Sequence, residues 1–96
     1  MGTLRNIRRK IQSDAYEMTD HARTEMTDDG LEVADIEHAI LTGKIVRTLT
    51  EDARGVRCVI VGQSNDRQVS VVCRLRETGM LRIVTVWAGG YNEEYE

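Results

Sequence analysis

Two groups of residues have the types and spacing to do chemistry. His21 and Glu25 stand four residues apart, which on a helix puts them on one face. An imidazole oriented by a carboxylate is a general acid or base near neutral pH. A histidine at a helix start equally serves as a plain hydrogen-bonding group, so both roles stay open for His21. The second group is Arg57, Arg74, Arg76 and Arg82. Guanidinium groups gathered on one surface grip phosphate oxygens in bidentate fashion. Tyr91 adds a phenolic hydroxyl, for function or to anchor the tail. Cys58 and Cys73 lie outside any CxxC or histidine cluster, so core thiols are expected rather than zinc ligands or nucleophiles. No metal or other cofactor is expected.

The elements that must position these groups follow from periodicity. Leu4, Ile7 and Ile11 form a helical stripe with Arg5, Arg8, Arg9 and Lys10 mostly off it, and Ser13-Asp14 ends that helix. Thr19 is the expected N-cap of a second, short helix with Asp20 in its first turn, Ala22 and Met26 facing inward, and Gly30 as its C′ residue. A third helix is expected over Val33–Thr42, with Val33, Ile36, Ala39 and Ile40 inward, His38 exposed and Gly43 again a C′ glycine.

After Gly43 the period becomes two. Residues 44–50, 56–62, 68–76 and 81–87 are rich in Val, Ile and Thr and separated by hairpin-length turns. The expected fold is α+β: N-terminal helices packed on one face of a four-stranded antiparallel sheet, in one domain over residues 1–96. The helices run over about 3–43, the sheet over about 44–88, and an acidic tail over 89–96. A two-residue turn at Asn65-Asp66 sets Arg57 opposite Arg74 and Cys58 opposite Cys73. A three-residue loop, Glu77-Thr78-Gly79, sets Arg74 opposite Arg82 and Leu75 opposite Leu81. The face carrying Val56, Cys58, Ile60, Val69, Val71, Cys73, Leu75, Leu81, Ile83, Thr85 and Trp87 should meet the helices. The face carrying Arg57, Val59, Val61, Ser70, Val72, Arg74, Arg76, Arg82, Val84 and Val86 should be open. A bulge at Gly62 would break this register.

Arg57, Arg74 and Arg82 then stand side by side, with Arg76 one step along. Like charges facing each other destabilise a sheet, so an anion should offset them. A phosphate backbone is one candidate; Glu93, Glu94 and Glu96 of the tail are the internal one.

Composition fits this picture. The 96 residues carry 41 % hydrophobic residues and a formal charge of −3, with one Trp, three Tyr and no Phe. So few aromatics argue against a base-stacking platform. The charge is segregated: +4 in residues 1–12, −8 in 13–42, +4 in 43–88 and −3 in 89–96. No apolar run reaches the length of a membrane span or a signal peptide, and a cytoplasmic protein is expected.

The run Thr19-Asp20-His21-Ala22, then Glu25-Met26, Asp29-Gly30-Leu31, Asp35-Ile36-Glu37, Ala39-Ile40-Leu41 and Gly43, with the closing Ile83-Val84-Thr85-Val86-Trp87, resembles the DUF4258 family over about residues 3–88. Many members carry Arg where this chain has Glu25 and Asp29, and Tyr where it has Trp87. That family is similar to the RelE/ParE-like toxin superfamily, with its MqsR-like and BrnT-like branches. The resemblance implies a RelE-like fold, a toxin–antitoxin setting with a zinc-finger, MqsA-like antitoxin as partner, and metal-independent mRNA cleavage. On that reading His21, Glu25 and Tyr91 are the catalytic candidates and Arg57, Arg74, Arg76 and Arg82 contact RNA. The other reading is a non-catalytic protein-binding module that keeps the fold.

Overall fold

The computed structural model describes residues 3–49, 56–76 and 78–91. Three helices, α1 (Thr3–Gln12), α2 (Asp20–Asp28) and α3 (Val33–Thr42), accompany five strands: β1 (Tyr16–Met18), β2 (Lys44–Leu49), β3 (Arg57–Ser64), β4 (Arg67–Leu75) and β5 (Leu81–Ala88). The sheet order is β1-β5-β4-β3-β2, with β1 parallel to β5 and the other pairs antiparallel. The sheet is therefore five-stranded and mixed, which corrects the expected four antiparallel strands. The extra strand, Tyr16-Glu17-Met18, is too short to show a period of its own.

The helices form where capping chemistry places them. Thr19 accepts from the Ala22 N–H at 3.0 Å, the N-cap bond of α2. At the other end, Gly30 (φ +69°) donates to Thr27 O and Leu31 to Met26 O, a Schellman closure with buried Leu31 beside Met26. Ile7, Ile11, Ala22, Ile36, Ala39 and Ile40 are buried against the sheet, whereas Val33 is exposed. Arg8 ties α1 to the end of α3 by donating to Ile40 O and Gly43 O.

Gly43 is not a left-handed C′ residue; its φ is −95°. It is needed for close approach: a Cβ there would lie 2.3 Å from Val61 O, and one on Gly62 would lie 2.0 Å from Ala39 O. Gly62 pairs with Val69 in unbroken register, so no bulge forms at it.

The hairpin between β3 and β4 has the expected register. Asn65 and Asp66 both have positive φ, 54° and 68°, and Arg57 faces Arg74 while Cys58 faces Cys73. In the next hairpin Gly79 has φ +91°, and Arg74 faces Arg82 while Leu75 faces Leu81. Glu77 of that loop lies outside the described residues.

Beyond this point β5 departs from the expected alternation. Cys73 pairs with Ile83 but Val72 with Thr85, so Val84 is an extra residue in a bulge. The bulge reverses the faces: Val86 joins the helix-side core, and Thr85 and Trp87 move to the opposite face. Val56, expected inward, precedes β3 and is exposed.

Candidate functional site

The face of the sheet away from the helices is arranged in rows across the strands. Glu17, Arg82, Arg74, Arg57 and Leu49 form one row. Thr85, Val72, Val59 and Arg47 form the next, and Trp87, Ser70, Val61 and Lys44 the third. The pair flanking a two-residue turn is hydrogen-bonded, so Arg57–Arg74 is a non-hydrogen-bonded pair with Cα atoms about 4.5 Å apart and side chains close.

Arg57, Arg74 and Arg82 are thus brought together as expected. Arg76 joins them through Glu17, whose carboxylate is 2.8 Å from Arg76 Nη1 and 3.4 Å from Arg82 Nε. Two members of the cluster escaped the sequence reading. Glu17 sits on the unforeseen β1. Arg47 reaches this face because a bulge between Ile45 and Arg47 shifts β2 against β3. The alternation of Tyr16-Glu17-Met18 was a signal, but a three-residue one.

This face is not open, contrary to expectation. Ser70 is 0 % exposed, Val59 1 % and Arg74 9 %, although Val59 and Val72 belong to no helix-side cluster. The Nε atoms of Arg57, Arg74 and Arg82 are shielded from solvent. Part of the cover is the chain after β5. The Gly89 N–H donates to Gln68 O, Ser70 Oγ donates to Gly89 O at 2.6 Å, and Trp87 Nε1 donates to Gly90 O. Tyr91 then stands on Trp87, with ring centroids 6.4 Å apart. Tyr91 therefore belongs to the Trp87 end of the face, roughly 15 Å along β5 from Arg82. Glu93, Glu94 and Glu96 lie outside the described residues.

His21 and Glu25 come together on α2. His21 Nε2 is 3.2 Å from Glu25 Oε2, and the imidazole is 68 % exposed. Glu25 is fixed from the other side, because its Oε1 accepts from the Val86 N–H at 3.2 Å. The same helix face repeats the device: Asp29 accepts from the Ala88 N–H at 2.8 Å. Thr19 Oγ1 donates to Val84 O, above the point where β1 stops covering β5. The spacing 19, 25, 29 against 84, 86, 88 thus satisfies the edge of β5 that β1 leaves bare. Glu25 and Asp29 consequently act as backbone acceptors, a task that arginine cannot perform.

The thiols of Cys58 and Cys73 are buried and reduced, and burial raises the pKa of both. They pack as core groups. Asp35 is a buried carboxylate at the start of α3. It accepts from Ser64 Oγ at 2.6 Å and from the Glu32 N–H at 2.8 Å, bonds that hold its pKa below the usual carboxylate range. Tyr16 donates to Glu37, and burial and that carboxylate raise its pKa. Among the described residues no helix is long and apolar enough to cross a membrane.

A family model described as a domain of unknown function (DUF4258) matches residues 18–88. That span runs from Met18, the last residue of β1, through α2, α3 and β2–β5, and it contains His21, Glu25 and all the arginines of the cluster but not Glu17. No curated protein and no solved structure matches the chain.

Proposed function

We propose, for a chain that belongs to the DUF4258 family, a toxin-like role: an RNA-binding domain of RelE-like kind that cleaves mRNA without a metal. The observation that carries this reading is the register-locked row Arg57–Arg74–Arg82, flanked by Arg76 and Arg47. Guanidinium groups in partly desolvated positions favour phosphate, and they stabilise the charge that develops on a phosphodiester during transfer. His21, oriented by Glu25, is the acid–base group. Tyr91, on Trp87, is a second candidate at the far end of the same face. The partner on this reading is a zinc-finger, MqsA-like antitoxin, and the setting is cytoplasmic.

A second reading keeps the fold as a non-catalytic protein-binding module. The observation favouring it is the exposure of His21, since a general base gains most in a dry site. An RNA cleavage assay with wild type and His21→Ala decides between them. Cleavage by wild type that falls about a hundredfold or more in His21→Ala supports the enzyme. No cleavage by wild type at high concentration leaves the binding module. Arg57→Gln and Arg82→Gln should each weaken RNA binding, and unchanged binding in both removes the arginine row from the function.

A further inference from the structure

We propose that Cys58 and Cys73 form a cross-strand dithiol site for a trivalent arsenical, the arsenic bridging the two sulfurs and its organic group lying in the cavity beside α1. Neither thiol has a part in the reading of the arginine face, so the inference stands apart from it.

Register, space and charge lead to it. Cys58 and Cys73 face each other across β3 and β4, in the core on the helix side of the sheet. Their pair is next to the non-hydrogen-bonded pair Arg57–Arg74, so it is a hydrogen-bonded pair with Cα atoms about 5.5 Å apart. Side chains stand farther apart in such a pair, so a direct S–S bond is strained and a bridging atom is favoured. Thr48, opposite Cys58 on β2, hydrogen-bonds its sulfur. Both cysteines line a cavity of about 250 Å³ whose other described walls are Thr3, Ile7, Val56 and Leu75. That is room enough for a phenyl ring, since an apolar cavity of about 150 Å³ accepts benzene.

The described walls carry no ionisable group besides the thiols, so the site selects a neutral product. Two thiolates on a monovalent cation leave a net negative charge, which is costly in apolar surroundings. Zinc needs four ligands, and among the described residues no third His, Cys, Asp or Glu joins the pair. Burial raises the pKa of both thiols and favours the protonated form. A trivalent arsenical takes both sulfurs as covalent bonds and leaves neither charged. With phenylarsine oxide, two As–S bonds form while the As–O double bond and both S–H bonds break. The oxygen leaves with the two protons as one water, and the arsenic stays trivalent.

Phenylarsine oxide added to the full-length, reduced protein tests this, with intact-mass spectrometry and thermal melts on wild type, Cys58→Ala and Cys73→Ala. Circular dichroism establishes which variants are folded. The expected result is one phenylarsenic group per folded wild-type chain and a raised melting temperature. Affinity should fall about a hundredfold in either variant, because the second sulfur binds intramolecularly. Equal affinity in wild type and variants overturns the bridge. An adduct that forms only in urea, or one that lowers the wild-type melting temperature, shows that the sulfurs are reached only on unfolding and overturns the site. These last two readouts need wild type alone, so they decide even where a variant fails to fold.

Discussion

At the scale of single residues, the groups singled out for chemistry and the groups that hold the fold overlap more than their types imply. Glu25 orients His21 with one oxygen and accepts from the Val86 amide with the other. Asp29 accepts from the Ala88 amide in the same manner. A carboxylate at these positions is explained by the bare edge of β5 before any catalysis is invoked. Asp35 is the clearer structural case, because it joins the start of α3 to the hairpin through Ser64 and Asn65. Its pKa lies below the unfolded value, held there first by Ser64 and next by the Glu32 amide. The stability it contributes is therefore fully present above the unfolded pKa of about 4 and is lost as pH falls through the folded value. Asp35→Asn should cost about 2 kcal/mol at pH 7, as expected for hydrogen bonds to a charged acceptor. The gap between variant and wild type should narrow steadily below about pH 4. Urea denaturation at pH 7 and pH 3 measures it, and a gap independent of pH would mean that Asp35 acts through shape alone.

At the scale of elements, the parts with strong local signals were legible and the parts set by tertiary contact were not. Thr19, Gly30 and the stripe Ile36–Ile40 announce α2 and α3 because caps and periodicity are local. Asn65-Asp66 and Gly79 fix two hairpin registers for the same reason, and the arginine row follows from them. Three features escaped. The strand β1 is stable only because β5 lies beside it, so its three residues carry no independent signal. The Val84 bulge is set by pairing and reverses Thr85, Val86 and Trp87. Gly43 and Gly62 look like turn or bulge residues, yet they serve the close packing of α3 on β3. That last point is testable. Gly62→Ala would set a methyl 2.0 Å from Ala39 O, so α3 must lift off the sheet. A loss of about 3 kcal/mol is expected, the upper range for overpacking. Gly30→Ala meets no atom within 4 Å and suffers only from its φ of +69°. Its expected cost is about 1 kcal/mol. Thermal melts of the two variants should rank them in that order, and the reverse order would show that turn conformation matters more than helix–sheet contact.

At the scale of the whole molecule, the small net charge hides a separation that the fold turns into two surfaces. Residues 13–42 carry −8 and include α2 and α3, which pack on one side of the sheet. The arginines lie on the other side, with the apolar core between. A polyanion is repelled by the helical layer and steered to the arginine face. RNA should accordingly perturb the amide resonances of β3, β4 and β5 and leave those of α3 unchanged; in α2 the enzyme reading expects a change at His21, and the binding-module reading expects none. Salt dependence adds a count. Single-stranded RNA on four guanidinium groups, Arg57, Arg74, Arg76 and Arg82, gives a slope of log K against log salt of roughly −3. Arg82→Gln should remove about 0.7 of that slope. Anisotropy titrations across a series of salt concentrations measure both proteins. A slope identical in the two would mean that RNA is held elsewhere than on this face.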